Sequence, residues 1–267
     1  MSAAVARRSP RKRRPPGSNR PVKVLLPPSE GKAAPPEGDP VDLGSLAFAP
    51  ELEGRRRALL EALERLGRLP VSRAIEQLAI SKGQAGEVAV DAGLRTAPAA
   101  PAADVYTGVL YDHLRLSELP ARSRERALIA SALWGFVRPQ DRIPYYRFSA
   151  KARLEAIGPP AAWWRGALAA ALPDEPGELI VDMRSAAYAA AWKPKRATLL
   201  AVRAFAESGG ERKPVSHMAK AVRGEVARAL LLAKKAPGSR EAAAAVAADA
   251  GFEVELSGSN LDVILTG

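Results

Sequence analysis

The residues able to do chemistry fall into six short polar clusters: Pro28-Ser29-Glu30-Gly31-Lys32, Tyr106-Thr107-Gly108, Trp134-Gly135 with Arg138-Pro139 and Asp141, Tyr146-Arg147, Asp182 with Arg184-Ser185, and Lys220 with Arg223-Gly224. Cations and carboxylates interleave across them. Brought to one cleft, they would suit an anionic ligand: Glu30 or Asp141 as base, Arg138 and Arg147 as an anion clamp with Lys32 and Arg184 beside them, and Tyr146 as proton donor or hydrogen bond. Asp182 is a further candidate acid or base. Left apart, the same clusters are surface ion pairs and turn signals.

Other chemistries lack material. Cysteine is absent, so no disulfide, thiolate nucleophile or thiolate metal site can form. The only histidines are His113 and His217, too few for a His-rich metal site. There is no phosphate-binding glycine loop, dinucleotide fingerprint, HExxH or GxSxG. Neither a metal nor a cofactor is implied.

The elements that must position these residues are legible in part. Residues 22–26 are an apolar run stopped by Pro27-Pro28, which reads as a buried strand. Leu59, Leu60, Leu63 and Leu66 repeat with helical spacing. Ser72 is placed to cap a short helix through Leu78, with a break at 80–83 and a second helix to Gly93. Residues 96–103, rich in Pro and Ala, read as extended, 122–136 as a helix, and 179–183 as a strand. Residues 198–207 and 213–216, around Gly209-Gly210, read as a hairpin. A long helix from Ser216 places Met218, Val222, Val226 and Leu230 at steps of four, with Lys220 and Arg223 off that line. A helix over 240–250 ends at Gly251, and 252–256 with 261–265 close the chain as a hairpin. The mixture predicts an α+β (mixed α/β) fold, a compact domain over 22–267 with an interrupted central sheet packed by helices.

The net charge of +11 is unevenly placed. Arg7, Arg8, Arg11, Lys12, Arg13, Arg14 and Arg20 face no acidic residue within the first 20; of 40 Lys and Arg, the other 33 meet 29 Asp and Glu. Residues 1–21 are expected to be a disordered basic tail, either a phosphate-attracting arm or a solvated leader. With neither an apolar stretch behind that tail nor a run long enough for a membrane span, the reading is a cytoplasmic protein with no membrane partner, a monomer being favoured.

From Val22 to the C-terminus the chain resembles the YaaA family of the bacterial peroxide-stress response. The carrying motifs are LLPPSEGK, VYTGVLYDHL, ALWGFVRPQDRIPYYR, VDMRSAAY, AWKPK and MAKAVRGE, in that order. In that pattern Lys220 and Arg223 match an Ala-Lys-x-x-Arg-Gly helix, Tyr106 and Gly108 the Tyr-Thr-Gly, and Arg138, Asp141, Tyr146 and Arg147 the central motif. Many relatives read Ser-Pro-x-Lys-Thr after the first strand; here Glu30 takes the Lys place and Lys32 comes two later, while Asp182 and Arg184 stand where Asn and a small residue are common. The resemblance implies a compact α/β fold, binding of double-stranded DNA through a helix-hairpin-helix unit and a positive cleft, and a role in limiting DNA damage and free iron. The hairpin candidate lies in 73–94, with Ser81, Lys82 and Gly83 offered to phosphate; a helical hairpin packed for structural reasons is the alternative. Ser81, Lys82, Gly83, Lys220 and Arg223 are the expected DNA contacts. A reading from another class is an enzyme acting on a small anionic substrate or nucleobase through Glu30, Arg138, Asp141, Tyr146, Arg147 and Lys220.

Overall fold

The computed structural model describes residues 22–208, 211–214 and 218–266. Five strands make a parallel core in the order β3 (Ala127–Ser131), β1 (Lys23–Leu26), β6 (Leu179–Asp182), β7 (Thr198–Ser208), β10 (Asn260–Thr266). Antiparallel strands border it, β4 (Gly135–Val137) beside β3 and β9 (Glu253–Ser257) beside β10, and β8 (Glu211–Pro214) pairs with β7. A second, two-stranded sheet joins β2 (Ala99–Pro101) to β5 (Arg142–Pro144). The mixed α/β class read from the sequence is the one observed. β3 and β6 are buried at every position, as is β1 after Lys23, which is why these strands are unbroken apolar runs instead of alternating ones.

β1 pairs with β3 on one side and β6 on the other, with Val24 opposite both Ala127 and Val181. The chain leaves β1 towards β3 but leaves β6 towards β7. The carboxyl ends of β1 and β6 therefore flank a topological switch point, where open α/β sheets leave a crevice.

Helices cover this frame. α1 (Ala49–Leu66) packs on α7 (Pro160–Ala171) and on α3 (Glu87–Ala92), which follows α2 (Val71–Leu78). α4 (Ala102–Val105) and α5 (Val109–Leu114) flank the Tyr-Thr-Gly segment; α6 (Ala121–Arg124) precedes β3, and α8 (Ala186–Ala189) follows β6. α9 (Met218–Leu232) lies against α5 and β7, and α10 (Arg240–Asp249) against α9 and β9. Ser239 caps α10 by accepting from Ala242 N at 3.2 Å, and Gly251, at φ 94°, ends it. Among the described residues no helix is long and apolar enough to cross a membrane.

Three expectations change. The helix expected over 122–136 exists only as α6; residues 127–131 are strand, because a short run buried on both faces has no period that separates strand from helix. α2 begins at Val71 behind Pro70 and has no side-chain cap, so Ser72 is not its N-cap. Of the extended stretch 96–103, residues 99–101 are strand and Ala102 already opens α4. The basic tail and Ser216 lie outside the described residues.

α5 crosses α9 at close range. A Cβ at Gly224 would lie 2.3 Å from Leu110 O and 3.1 Å from His113 Cβ. Alanine normally stabilises a helix interior relative to glycine, but here backbone must move, so Gly224→Ala should lower stability by about 1–3 kcal/mol. Urea unfolding of the two proteins checks this; an equal or higher midpoint for Gly224→Ala would contradict it.

Candidate functional site

The segment after β1 and the segment before α5 run side by side and press together. Lys32 bridges to Tyr106, Ala33 N donates to Val105 O at 2.8 Å, and Thr107 N donates to Gly31 O at 3.2 Å. Each segment supplies a glycine where the other is near. A Cβ at Gly31 would sit 3.2 Å from Thr107 Oγ1, and one at Gly108 would sit 3.2 Å from Ser29 Oγ, at φ 94° besides. Tyr111 Oη adds a bond to Pro27 O at 2.8 Å. The SEGK and Tyr-Thr-Gly motifs are thus two halves of one contact, made at the carboxyl end of β1.

That contact sets Lys32 over the tyrosines. Its Nζ donates to Ser29 O at 2.7 Å and stands 4.4 Å from the Tyr146 ring centroid and 5.8 Å from that of Tyr106. The hydroxyls behind it form a chain: Tyr106 Oη is 2.7 Å from Tyr146 Oη, which is 2.8 Å from Ser131 Oγ at the carboxyl end of β3. Ser131 Oγ also accepts from Leu133 N and Trp134 N at 3.1 and 3.0 Å. Burial raises the pKa of both tyrosines, so they remain neutral phenols at neutral pH.

Asp91 faces the same cluster from α3. It is 1% exposed, and its Oδ1 accepts from Arg147 N at 2.7 Å. Burial raises its pKa to about 7, against the opposing pull of the Arg147 amide and the charge of Lys32. Burial likewise lowers Lys32 to about 8, helped by the charge of Arg147 and opposed by Asp91, Glu30 and Glu87. A carboxyl and an amine that both change charge near neutrality are equipped for proton transfer. Arg147 closes the cluster towards Glu30, with Nη1 3.5 Å from Glu30 O and Nη2 3.9 Å from Glu30 Oε2. The Glu30 side chain is 74% exposed, so that pair is a weak one.

The expected residues therefore divide. Glu30, Lys32, Tyr146 and Arg147 come together, joined by Asp91, Ser131 and Tyr106. Arg138 and Asp141 do not join them: β4 runs antiparallel to β3, with Gly135 opposite Ser131 and Val137 opposite Ile129, and carries both away from its carboxyl end. Asp141 Oδ2 accepts the amides of Ala47 and Arg138 at 2.8 and 2.9 Å, a scaffold role in place of the expected base. Arg138 is exposed and lies 5.9 Å from the Phe48 ring. Asp182 and Arg184 form a closed buried pair, Nε to Oδ1 at 2.8 Å and Nη2 to Oδ2 at 2.7 Å, with Nη2 also donating to Trp192 O. Arg184 is therefore not an anion clamp, nor Asp182 a free base. Arg223 is half-buried and donates Nε to Val202 O at 3.1 Å, whereas Lys220 is exposed on α9. Ser81, Lys82 and Gly83 are all exposed between α2 and α3; Ser81 N and Oγ both donate to Gln84 Oε1. His113 Nδ1 lies 2.7 Å from Glu225 Oε1 across the α5–α9 crossing, and His217 lies outside the described residues.

Asp91 and Ser131 were missed by sequence reasoning. Asp91 had a signal: it stands three residues from Val88 on the buried stripe of α3, a charge where the period calls for an apolar side chain. Ser131 had none, inside a segment read as helix. Arg56, fully buried and donating to Trp134 O, Ala47 O and Phe136 O, was hidden in the Arg-rich face of α1. Among the described residues no group of three or more His, Cys, Asp or Glu side chains could hold a metal ion.

The raised Asp91 gives a pH test. Below about pH 4 it is protonated folded and unfolded alike; above that the unfolded chain ionises first, so its contribution to stability is lost as pH rises through about 7. Lys32 acts in a separate window, its contribution being lost as pH falls from 10.5 through about 8. Asp91→Asn should accordingly gain stability relative to the parent between pH 4.5 and 8, by at most on the order of 4 kcal/mol. Urea unfolding at both pH values reads the difference, and a constant gap would contradict it.

Similarity to known proteins follows the same boundaries. The chain is 45% identical over 240 residues to a UPF0246 protein of Streptomyces coelicolor, covering 87% of this chain and 91% of that one. It is 36% identical over 236 residues to a UPF0246 protein of Corynebacterium glutamicum, covering 87% and 94%. A UPF0246 protein of Corynebacterium efficiens is 37% identical over 238 residues, with 88% and 95% covered. The family model described as peroxide stress protein YaaA matches residues 22–255, which takes in every motif that builds the Lys32 cluster, and the chain belongs to that family.

Proposed function

We propose that this protein serves in the peroxide stress response by binding double-stranded DNA without regard to sequence, and so limits DNA damage. Family membership supports the link to peroxide stress, and a part in limiting free iron rests on the resemblance alone. The DNA reading is carried by the exposed hairpin between α2 and α3. A short, solvent-facing turn between two helices offers a duplex one lysine and neighbouring main chain, which suits phosphate and reads no base. Neither Lys82 nor the exposed Lys220 has a carboxylate within ion-pair distance among the described residues. The seven basic residues of the first 20 would add affinity and speed of encounter.

A second reading is favoured by a specific observation. Phosphate binding at a surface has no use for a buried carboxyl that titrates near neutrality beside a lysine that does the same. An enzyme acting on a small anionic substrate or nucleobase does. Its residues, regrouped by geometry, are Lys32, Asp91, Tyr106, Tyr146 and Arg147, with Arg138, Asp141 and Lys220 left out.

Duplex binding across a salt series tests the first reading, using the full chain, the chain lacking residues 1–21, and a Lys82→Ala/Lys220→Ala variant. Each neutralised phosphate contributes about 0.9 to the log–log slope, so the double variant should flatten it by about 2. Loss of all binding with the tail alone would remove the DNA function from the folded body.

A further inference from the structure

The Lys32 cluster contains polar atoms that the protein's own groups leave unpaired. They are Asp91 Oδ2, Glu87 Oε2 one turn earlier on the same helix, and the Nε of Arg147, all buried. Burying such groups without partners is costly, so the arrangement fits a molecule that brings both donors and acceptors. The hydroxyl chain adds a donor. Ser131 Oγ already accepts two amides, so its proton goes to Tyr146, and one phenol proton of the Tyr106–Tyr146 pair is left over for the site. The Lys32 amine spends one donor on Ser29 O, in a residue that is half-buried as a whole.

We propose that Lys32 is a nucleophilic amine that forms a Schiff base with the aldehyde of a phosphorylated sugar, with Arg147 holding the phosphate and Asp91 moving the proton. This rests on the second reading above. The uncharged amine attacks the aldehyde carbon; a C–N bond forms as the C=O π bond breaks, and the new ammonium nitrogen gives up one proton as the carbonyl oxygen takes one up, which leaves a neutral carbinolamine. A second proton, from the Asp91 carboxyl, lets that oxygen leave as water, and the nitrogen lone pair closes the iminium. Water reverses the sequence, and no oxidant or reductant is consumed. The leftover phenol proton suits the carbonyl oxygen, and sugar hydroxyls suit the unpaired carboxylate oxygens of Asp91 and Glu87.

The surroundings favour the reactive forms. With its pKa near 8, Lys32 is uncharged on the order of a hundredfold more often at pH 7 than a solvent lysine. Asp91, near 7, can give a proton as readily as take one. Two sources present this chemistry, a free sugar phosphate such as 2-deoxyribose 5-phosphate and the abasic position of a damaged duplex.

The full chain is incubated at pH 7.5 with 2-deoxyribose 5-phosphate, or with a duplex carrying one abasic site, and reduced with sodium borohydride. Peptide mass spectrometry then places the adduct. One sugar on Lys32 is expected, with Lys32→Arg lowering its yield on the order of tenfold or more. Trapping by the duplex alone would assign the source to DNA, and trapping by the free sugar phosphate would assign a metabolite. Adduct spread over surface lysines such as Lys82 and Lys220, or undiminished in Lys32→Arg, overturns the proposal. Asp91→Asn, with its fold checked by circular dichroism, should slow adduct formation; an unchanged rate removes Asp91 from the step. Calorimetry with 2-deoxyribose 5-phosphate separates the layers: binding without adduct overturns the covalent step alone, and neither binding nor adduct overturns the enzyme reading with it.

Discussion

The contact between residues 29–33 and 105–108 is what the candidate site depends on. Two largely irregular segments are held by two main-chain bonds, which make the Lys32–Tyr106 bridge, and by glycines placed where each nears the other. A Cβ at either position would sit 3.2 Å from a hydroxyl of the facing segment, Thr107 Oγ1 for Gly31 and Ser29 Oγ for Gly108, and at Gly108 the φ of 94° adds backbone strain. Irregular backbone is tolerated here because the parallel strands beneath are buried and rigid, and because the switch point between β1 and β6 leaves space above their carboxyl ends.

Three of the buried ionic arrangements differ in how completely they are closed. Asp182 and Arg184 satisfy each other with two parallel bonds, and Trp192 O takes a further one. Arg56 donates to three carbonyls and leaves only Nη1 unpaired, and Asp141 accepts two amides of the same neighbourhood, so the 47–48 turn is fixed to β4. Asp91, Lys32 and Arg147 are different. Asp91 Oδ2 and Arg147 Nε are left unpaired, and Asp91 and Lys32 have their pKa values moved to within about a unit of neutrality by burial. Closed buried pairs fix a backbone arrangement; an incompletely closed one is costly unless something else completes it.

The elements with a strong period were legible: the helix through Leu59 and Leu66, the step-of-four helix through Val226 and Leu230, and both hairpins. β3 was not, because five successive buried residues present no alternation. The site was legible in its residue types more than in its grouping. Glu30, Lys32, Tyr146 and Arg147 were read as chemistry-bearing and do meet. Asp141, Asp182 and Arg184 carried the same signal, a charged residue beside a strand or turn, and are consumed by the scaffold. Nothing local distinguishes a carboxylate that accepts two amides from one that faces a ligand. The difference lies in partners 94 residues away in sequence, as for Ala47 and Asp141.

Surface and interior lysines differ in the same way. Lys82 and Lys220 are exposed, with backbone geometry that does not depend on them, so their contribution to any polyanion is additive and screened by salt. Lys32 is held by Ser29 O, the Tyr146 ring and the opposing charges of Arg147 and Asp91, so its charge state depends on all of them together. A lysine of the first kind serves as a cation and is interchangeable with its neighbours. One of the second kind is tuned, and losing any of those partners would alter it.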